Sequence, residues 1–251
     1  MNPIAPSRAA QLSQGGTPRR RATVARTRAA TALALLLLAF LGSGCGSLPP
    51  NSLATHKSAK WEKEIAGLEA RDKAHPPQRD CIVFVGSSSI RLWTNLVADF
   101  PGLPVVNHGF GGSQLADSVN FADRIILPLA PRQVVIYAGG NDINAGKTPE
   151  VVYGDFVALV TKLRTALPLA QIAYIASAPN PKRWAQVEKV KRLNSLVAAY
   201  CHFHELTFID VFPLMLGPEG LPKPDIYVAD GLHLNPKGYA IWRAAVAPGL
   251  K

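Results

Sequence analysis

The chain has 251 residues, with 27 Lys and Arg against 17 Asp and Glu, and 48% of its residues are hydrophobic. That hydrophobic fraction excludes a disordered protein, and the length fits one domain with extensions. The 3 cysteines are too few for a scaffold built on disulfides and have no zinc-ligand spacing.

The formal net charge of +10 lies mostly at the start of the chain. Residues 1–44 hold six arginines and no acidic residue, so 21 basic and 17 acidic residues remain beyond them, a net charge of +4. A body with so small an excess of positive charge gives little support to a nucleic-acid-binding protein. We therefore predict no nucleic-acid partner.

Residues 1–44 are predicted to be a signal peptide. Residues 19–28 are basic, residues 29–41 are an apolar run of thirteen, and small residues lead to Cys45. This is the order of a secretory signal, and the apolar run is short for a helix that crosses a hydrocarbon core of about 30 Å. The stretch resembles a bacterial lipoprotein signal with Cys45 lipidated, although Gly42 stands where such signals have Leu.

The resemblance to a lipoprotein signal implies an exported protein on the periplasmic side or in the outer membrane of a bacterium. It also implies membrane association through a lipid on Cys45. The alternatives are a signal peptide that is cleaved nearby without lipidation, and a single membrane anchor.

Two segments join the predicted signal to the main domain. Residues 45–56 are polar and contain Pro and Ser, and they are predicted to be a tether. Residues 57–79 are predicted to be a helix and a linker, because Trp61, Ile65 and Leu68 recur at helical spacing before a Pro-Pro pair. Residues 80–251 remain for the main domain.

The main domain alternates short apolar runs with helical patterns. The runs predict strands at residues 81–85, 104–107, 133–138, 171–177 and 206–211. The patterns predict helices at residues 118–127, 149–167, 187–200 and 236–246. This alternation indicates an α/β fold, in which a parallel sheet carries helices on both faces. Ligands of such sheets bind beyond the carboxyl ends of the strands.

Small and polar residues follow four of the five predicted strands. They form the blocks GSSSI at residues 86–90, NHGFGGS at 107–113, GGND at 139–142 and DGLH at 230–233. Serine hydrolysis needs an activated hydroxyl, a base, a group that orients the base, and donors for the oxyanion. The four blocks contain all of these groups and would meet at one edge of the sheet.

These four blocks, in this order, resemble the SGNH (GDSL-type) hydrolase family over nearly all of residues 80–245. The resemblance implies a three-layer α/β/α sandwich whose five-stranded parallel sheet has the flavodoxin-like order 2-1-3-4-5. It places the nucleophile at Ser88 and the rest of a catalytic triad at Asp230 and His233. The sequence departs from the family's motif at Ser87, where the motif has Asp. This departure makes the substrate class harder to infer from the resemblance.

The roles follow from the chemistry of acyl transfer. Ser88 Oγ would attack an ester carbonyl, His233 would take its proton through Nε2, and Asp230 would hold the other ring nitrogen. Asp225 is an alternative partner for His233. The resemblance assigns the oxyanion donors to the backbone N–H groups of Ser88 and Gly112 and the side chain of Asn141. This chemistry requires no metal or other cofactor.

Further residues near the predicted strand ends are candidates for contact with substrate. They are Arg91, Phe110, Tyr137, Arg183 and Trp184. For the aromatic members, packing in the core is the alternative.

We interpret the chain as a serine esterase that hydrolyses short-acyl esters, acetyl esters above all, of a carbohydrate or a small molecule. One alternative is a lysophospholipase or thioesterase that uses the same triad. Another is an envelope lipoprotein that binds glycan or lipid without catalysis, although such a protein would not need a base aligned by an acid.

Overall fold

The computed structural model of the protein describes residues 48–251. The predicted signal peptide, Cys45 and the first residues of the predicted tether lie outside the described residues. Within residues 48–251, no helix is long and apolar enough to cross a membrane.

Five parallel strands form one sheet in the order β2-β1-β3-β4-β5. The strands are β1 (Ile82–Gly86), β2 (Val105–Gly109), β3 (Gln133–Tyr137), β4 (Gln171–Ile175) and β5 (Thr207–Ile209). All five predicted strands are present, with ends shifted by no more than two residues, and the predicted strand order is confirmed. The carboxyl ends of β1, β2 and β3 therefore meet at one edge.

Eight α-helices are present in residues 48–251. They are α1 (Glu62–Ala74), α2 (Ser88–Arg91), α3 (Leu96–Asp99), α4 (Leu115–Ile125), α5 (Gly140–Asn144), α6 (Pro149–Ala166), α7 (Val187–Phe203) and α8 (Pro236–Val246). The predicted helix at 118–127 begins three residues earlier, at Leu115, because Asp117 Oδ2 accepts from the backbone N–H of Gln114 at 2.9 Å and caps the helix there. The one-turn helices α2, α3 and α5 were not predicted, since so few residues show no helical period.

Two helical layers cover the two faces of the sheet. In β1, Val83 and Val85 pack with residues of α4, α6 and α7. Ile82 and Phe84 point to the other face and pack with residues near α2 and in α8, among them Trp242. Successive side chains of a strand point to opposite faces, so a strand buried on both faces is apolar throughout. This confirms the three-layer α/β/α sandwich.

Residues 48–58, which we call the strap, are attached to the main domain by buried carboxylates. Ser52 donates to Asp155 from its backbone N–H and from Oγ, at 2.7 Å in both cases. His56 Nε2 and Ser58 Oγ each lie 2.7 Å from Asp117 Oδ1. The part of the predicted tether that the structure describes, residues 48–56, is thus held on the main domain by hydrogen bonds. No local sequence pattern predicts this attachment, because Ser52 and Asp155 are 103 positions apart.

A methyl group at Gly154 is expected to displace the strap. A Cβ built there would lie 1.9 Å from Pro50 O, so Gly154→Ala should lower the free energy of unfolding by about 1–3 kcal/mol. Gly67→Ala in α1 is the matched control: nothing lies within 4 Å of its Cβ, and alanine should stabilise that helix by about 0.5–1 kcal/mol. Thermal unfolding and tryptic cleavage within the strap measure both variants. Equal stability of the two variants would contradict the strap's attachment.

Candidate active site

Ser88, His233 and Asp230 form a continuous hydrogen-bonded series at the carboxyl edge of the sheet. Ser88 Oγ lies 3.0 Å from His233 Nε2. His233 Nδ1 lies 2.6 Å from Asp230 Oδ2. Both distances are those of hydrogen bonds, and the order is that of nucleophile, base and orienting acid. Residues 145 positions apart in the sequence thus meet in the order predicted for a triad.

The end of β1 presents Ser88 in a sharp turn. Gly86 has a φ of +142°, and a Cβ there would lie 1.9 Å from Tyr137 O on β3, so only glycine fits. Ser87 follows with extended backbone and precedes α2 as its N-cap residue. Ser88 is the first residue of that helix, so its backbone N–H has no acceptor within the helix and is free for a substrate oxygen.

The loop before α8 holds His233 and Asp230 in one turn. Asp230 Oδ1 accepts from the backbone N–H groups of Leu232 at 2.8 Å and of His233 at 2.9 Å. The backbone hydrogen bond from His233 is the main cause that lowers the pKa of Asp230 to about 2. Gly231, with a φ of +63°, allows the chain to turn between the two residues. The carboxylate that faces the imidazole is therefore ionised at neutral pH.

Asp225 does not take the place of Asp230. Its Oδ2 lies 3.2 Å from Lys237 Nζ, and both side chains are exposed. Asp225, which the sequence allowed as an alternative partner for His233, is thus paired with Lys237 instead.

Asn141 lies beside Gly112 and lines the same cavity as Ser88, whereas Gly112 does not line that cavity. A Cβ built on Gly112 would lie 3.8 Å from Asn141 Nδ2, which is ordinary contact. Asn141 Nδ2 also donates to Ser113 O at 3.1 Å, and Asn141 and Ser88 line the same cavity. These positions suit the predicted oxyanion donors, whose role stays a prediction.

Asp142 anchors the segment that carries Asn141. Its two carboxylate oxygens accept from Leu115 N at 3.2 and 3.3 Å, which ties the loop after β3 to the start of α4. Asp142 Oδ1 lies 3.0 Å from Lys147 Nζ, and the same ammonium lies 2.9 Å from Asp155, the residue that holds the strap. Burial raises the pKa of Asp142, and the charge of Lys147 opposes this effect. Asp142 therefore has a structural role at this site.

The cavity beside Ser88 is small. Its volume is about 30 Å³, which is room for about two water molecules. The ring of Tyr137 packs edge-on against that of Trp242, with 4.5 Å between their centroids. Several residues that line the cavity beside Ser88 were not predicted from the sequence. They are Trp242, Met215, Tyr227, Leu232, Leu234, Ala178, Pro179 and Gly140. Most of them come from α8 and from the loops after β4 and β5, and except for Gly140 and Leu232 they lie outside the four sequence blocks.

Two of the five candidates for substrate contact line this cavity, namely Tyr137 and Arg183. Phe110 does not, and that prediction was wrong. Phe110 is fully buried, with the rings of Trp61 and Phe121 each 6.0 Å from its own. It follows a strand in the sequence, but its side chain points into the helical layer on one face of the sheet.

Arg91 and Trp184 also lie outside the cavity. Arg91 is exposed in a groove between α1 and the loop after α2. Trp184 lines a separate apolar depression with Pro181 and Leu221. Neither residue lines the Ser88 cavity, and their contact with substrate stays a prediction. No residue of α1 lines this cavity either.

Comparison with known proteins finds one family and several similar folds. Residues 80–241 match the model of the GDSL-like lipase/acylhydrolase family. No curated protein sequence matches the chain. A provisionally assigned acylhydrolase from Bacteroides fragilis has a TM-score of 0.64 at 22% identity, over 71% of this chain and 92% of that one.

Two further solved structures are similar in fold. A GDSL-like lipase from Bacteroides thetaiotaomicron has a TM-score of 0.62 at 18% identity, over 76% of this chain and 96% of that one. An acetylxylan esterase from Geobacillus stearothermophilus has a TM-score of 0.56 at 14% identity, over 68% of this chain and 93% of that one.

Proposed function

The chain belongs to the GDSL-like lipase/acylhydrolase family, and we propose that it is a serine esterase that removes short acyl groups, acetyl above all, from a carbohydrate or a small-molecule alcohol. The observation that carries this proposal is the series Ser88–His233–Asp230, with distances of 3.0 and 2.6 Å, beside a cavity of about 30 Å³.

The proposed reaction has two acyl-transfer steps. Ser88 Oγ bonds to the ester carbonyl carbon while His233 Nε2 takes the hydroxyl proton, and the oxyanion lies against the N–H groups of Ser88, Gly112 and Asn141. His233 then gives the proton to the leaving alcohol, and an acyl-serine remains. In the second step, His233 takes a proton from water as the water oxygen bonds to the acyl carbon. The bond to Ser88 Oγ then breaks, Oγ receives the proton from His233, and the acid leaves. Asp230 stabilises the imidazolium in both steps.

The size of the cavity predicts a preference for short acyl groups. We expect kcat/KM to fall from p-nitrophenyl acetate to butyrate and to octanoate, by about tenfold or more across the series. The reason is that an acyl chain which overfills packed walls costs about 1–3 kcal/mol. Release of p-nitrophenol measures the series, with Ser88→Ala as the control for spontaneous hydrolysis. An octanoate ester that reacts as fast as the acetate would instead favour a lysophospholipase or thioesterase.

The alcohol part of the substrate is tested separately. We expect purified protein to release acetate from acetylated sugars and to leave lysophospholipids intact. The acetylxylan esterase of similar fold makes acetylated xylo-oligosaccharides a suitable first panel. Fatty acid release from lysophospholipid with no acetate release would replace the carbohydrate assignment.

We also propose that the protein is exported and anchored to a bacterial membrane through Cys45. The support is the basic, apolar and small-residue order of residues 19–45. Mass spectrometry of protein from the membrane fraction is expected to show Cys45 as a diacylated N-terminal residue. Cys45→Ala is expected to move the protein from the membrane fraction to the soluble one. A mature chain that begins at another residue would contradict the anchor.

A further inference from the structure

Arg183 donates to the side chain of Asn141 from inside the cavity. Arg183 Nη1 lies 3.0 Å from Asn141 Oδ1 and 3.3 Å from Gly140 O. It belongs to a 3₁₀ segment, Pro181–Gln186, that follows β4. The guanidinium therefore reaches the residue predicted to bind the oxyanion, from a different loop.

The two contacts of Asn141 determine which way its amide faces. A guanidinium has only donors, so the group that faces Arg183 must be the amide oxygen. The backbone oxygen of Ser113 only accepts, so the group that faces it must be Nδ2, at 3.1 Å. The second N–H of Nδ2 is left for another acceptor, next to Gly112. The terminal torsion of an asparagine is otherwise broad, so these partners select one orientation.

The segment that carries Arg183 is itself attached to the loop of the base. Lys182 N donates to Gly231 O at 3.0 Å, and Gly231 lies between Asp230 and His233. Arg183 N donates to Asn180 Oδ1 at 2.9 Å, which closes the turn. The segment thus contacts Asn141 on one side and the loop that carries His233 on the other.

The charge of Arg183 has no carboxylate partner among residues 48–251. Each described ion pair of the protein involves other cations. A positive charge at the amide oxygen draws electron density from the amide and makes its N–H a stronger donor. The same charge would favour an oxyanion that develops in the cavity.

We propose that Arg183 is a positioning residue that holds the Asn141 amide with its N–H toward the oxyanion, and that it does not bind the substrate directly. This inference rests on the proposed esterase function. The sequence alone predicts that Arg183 contacts the substrate. The hydrogen bond to Asn141 Oδ1 gives it a different task, which acts through Asn141.

A double-mutant cycle tests the proposal with p-nitrophenyl acetate. Asn141→Ala is expected to lower kcat by about 10²–10³-fold, as the loss of one oxyanion donor does. Arg183→Met is expected to lower kcat by about 10–100-fold and to change KM by less than about threefold. In the double variant, Arg183→Met should lower kcat by less than about twofold relative to Asn141→Ala alone, because the amide through which Arg183 acts is already gone.

Independent losses would overturn the proposal. If kcat of the double variant falls by the product of the two single fold-decreases, Arg183 acts independently of Asn141. If Arg183→Met raises KM with kcat unchanged, Arg183 binds substrate, as it would for an ester with an anionic group. Arg192→Met is the matched control, since Arg192 is exposed on α7, pairs with Glu150 at 3.1 Å and should keep wild-type kcat. If Arg183→Met does not fold, Arg183→Lys takes its place in the cycle. Lysine keeps the positive charge but lacks the planar guanidinium.

A crystal structure separates this inference from the proposed function. In Arg183→Met, where only Ser113 O still holds the Asn141 amide, the side chain is expected to occupy a second orientation beside the wild-type one. An amide that keeps only its wild-type orientation would overturn the positioning role even if the enzyme is an esterase. If the wild type hydrolyses none of the esters, the proposed function fails, and the structures still decide the role of Arg183.

Discussion

Replacement of Ser88 by alanine is expected to abolish ester hydrolysis, with kcat reduced by about 10⁴-fold or more. The hydroxyl is the atom that would form the acyl-enzyme, and no neighbour within the turn has the same contact with His233 Nε2. A fluorophosphonate probe should add one adduct to the wild type and none to Ser88→Ala, as read by intact mass. The same samples, assayed with p-nitrophenyl acetate, give the loss in rate.

Ser195→Ala serves as the matched control for Ser88→Ala. Ser195 is exposed on α7, and its Oγ donates only to Lys191 O, at 3.0 Å, among the described contacts. We expect wild-type labelling and wild-type kcat from it. Labelling that persists in Ser88→Ala, or a wild type that takes no label, would refute Ser88 as the nucleophile.

Replacement of Asp230 by asparagine is expected to lower kcat by about 10³–10⁴-fold while the fold is kept. An amide can still accept from the backbone N–H groups of Leu232 and His233, so the turn should remain. It no longer offers a negative charge to the imidazolium, and an amide N–H turned to His233 would select the wrong tautomer. The kcat of Asp230→Asn, measured beside its circular dichroism spectrum, tests this expectation.

Asp225→Asn is the matched control for Asp230→Asn, because Asp225 pairs with Lys237 and not with His233. We expect it to keep wild-type kcat. A large loss in Asp225→Asn, with little in Asp230→Asn, would move the role of orienting acid to Asp225.

The lowered pKa of Asp230 also predicts how the site responds to acid. Its folded-state pKa of about 2 lies below the ordinary value of about 3.9, so the carboxylate is favoured in the folded state. Its contribution to stability is therefore complete above about pH 4 and is lost as the pH falls through about 2. The carboxyl ¹³C shift of Asp230 should have its titration midpoint near pH 2. A midpoint above about pH 4 would show that the hydrogen bonds to its backbone neighbours are absent in solution.

The sequence alone was sufficient for the α/β class of the fold, which depends on local patterns. The residues of the hydrogen-bonded series were assigned through the resemblance of four sequence blocks to the SGNH (GDSL-type) hydrolase family. A strand buried on both faces must be apolar along its whole length, as in Ile82–Val85, and parallel strands bring their carboxyl ends to one edge. The residues after each strand could thus be assigned to one site before any distance was known. Helices of one turn, such as α2 and α5, have too few residues for a hydrophobic period and were not predicted.

Only the tertiary structure decided which side chains surround those groups. Phe110 follows a strand but is buried in a helical layer, whereas Trp242 comes from the last helix and lines the cavity. The bond between Arg183 and Asn141 joins positions 42 apart, and that between Ser52 and Asp155 joins positions 103 apart. Such contacts depend on how helices and loops pack across the sheet, and a short window of sequence records only which face of its own element a residue occupies.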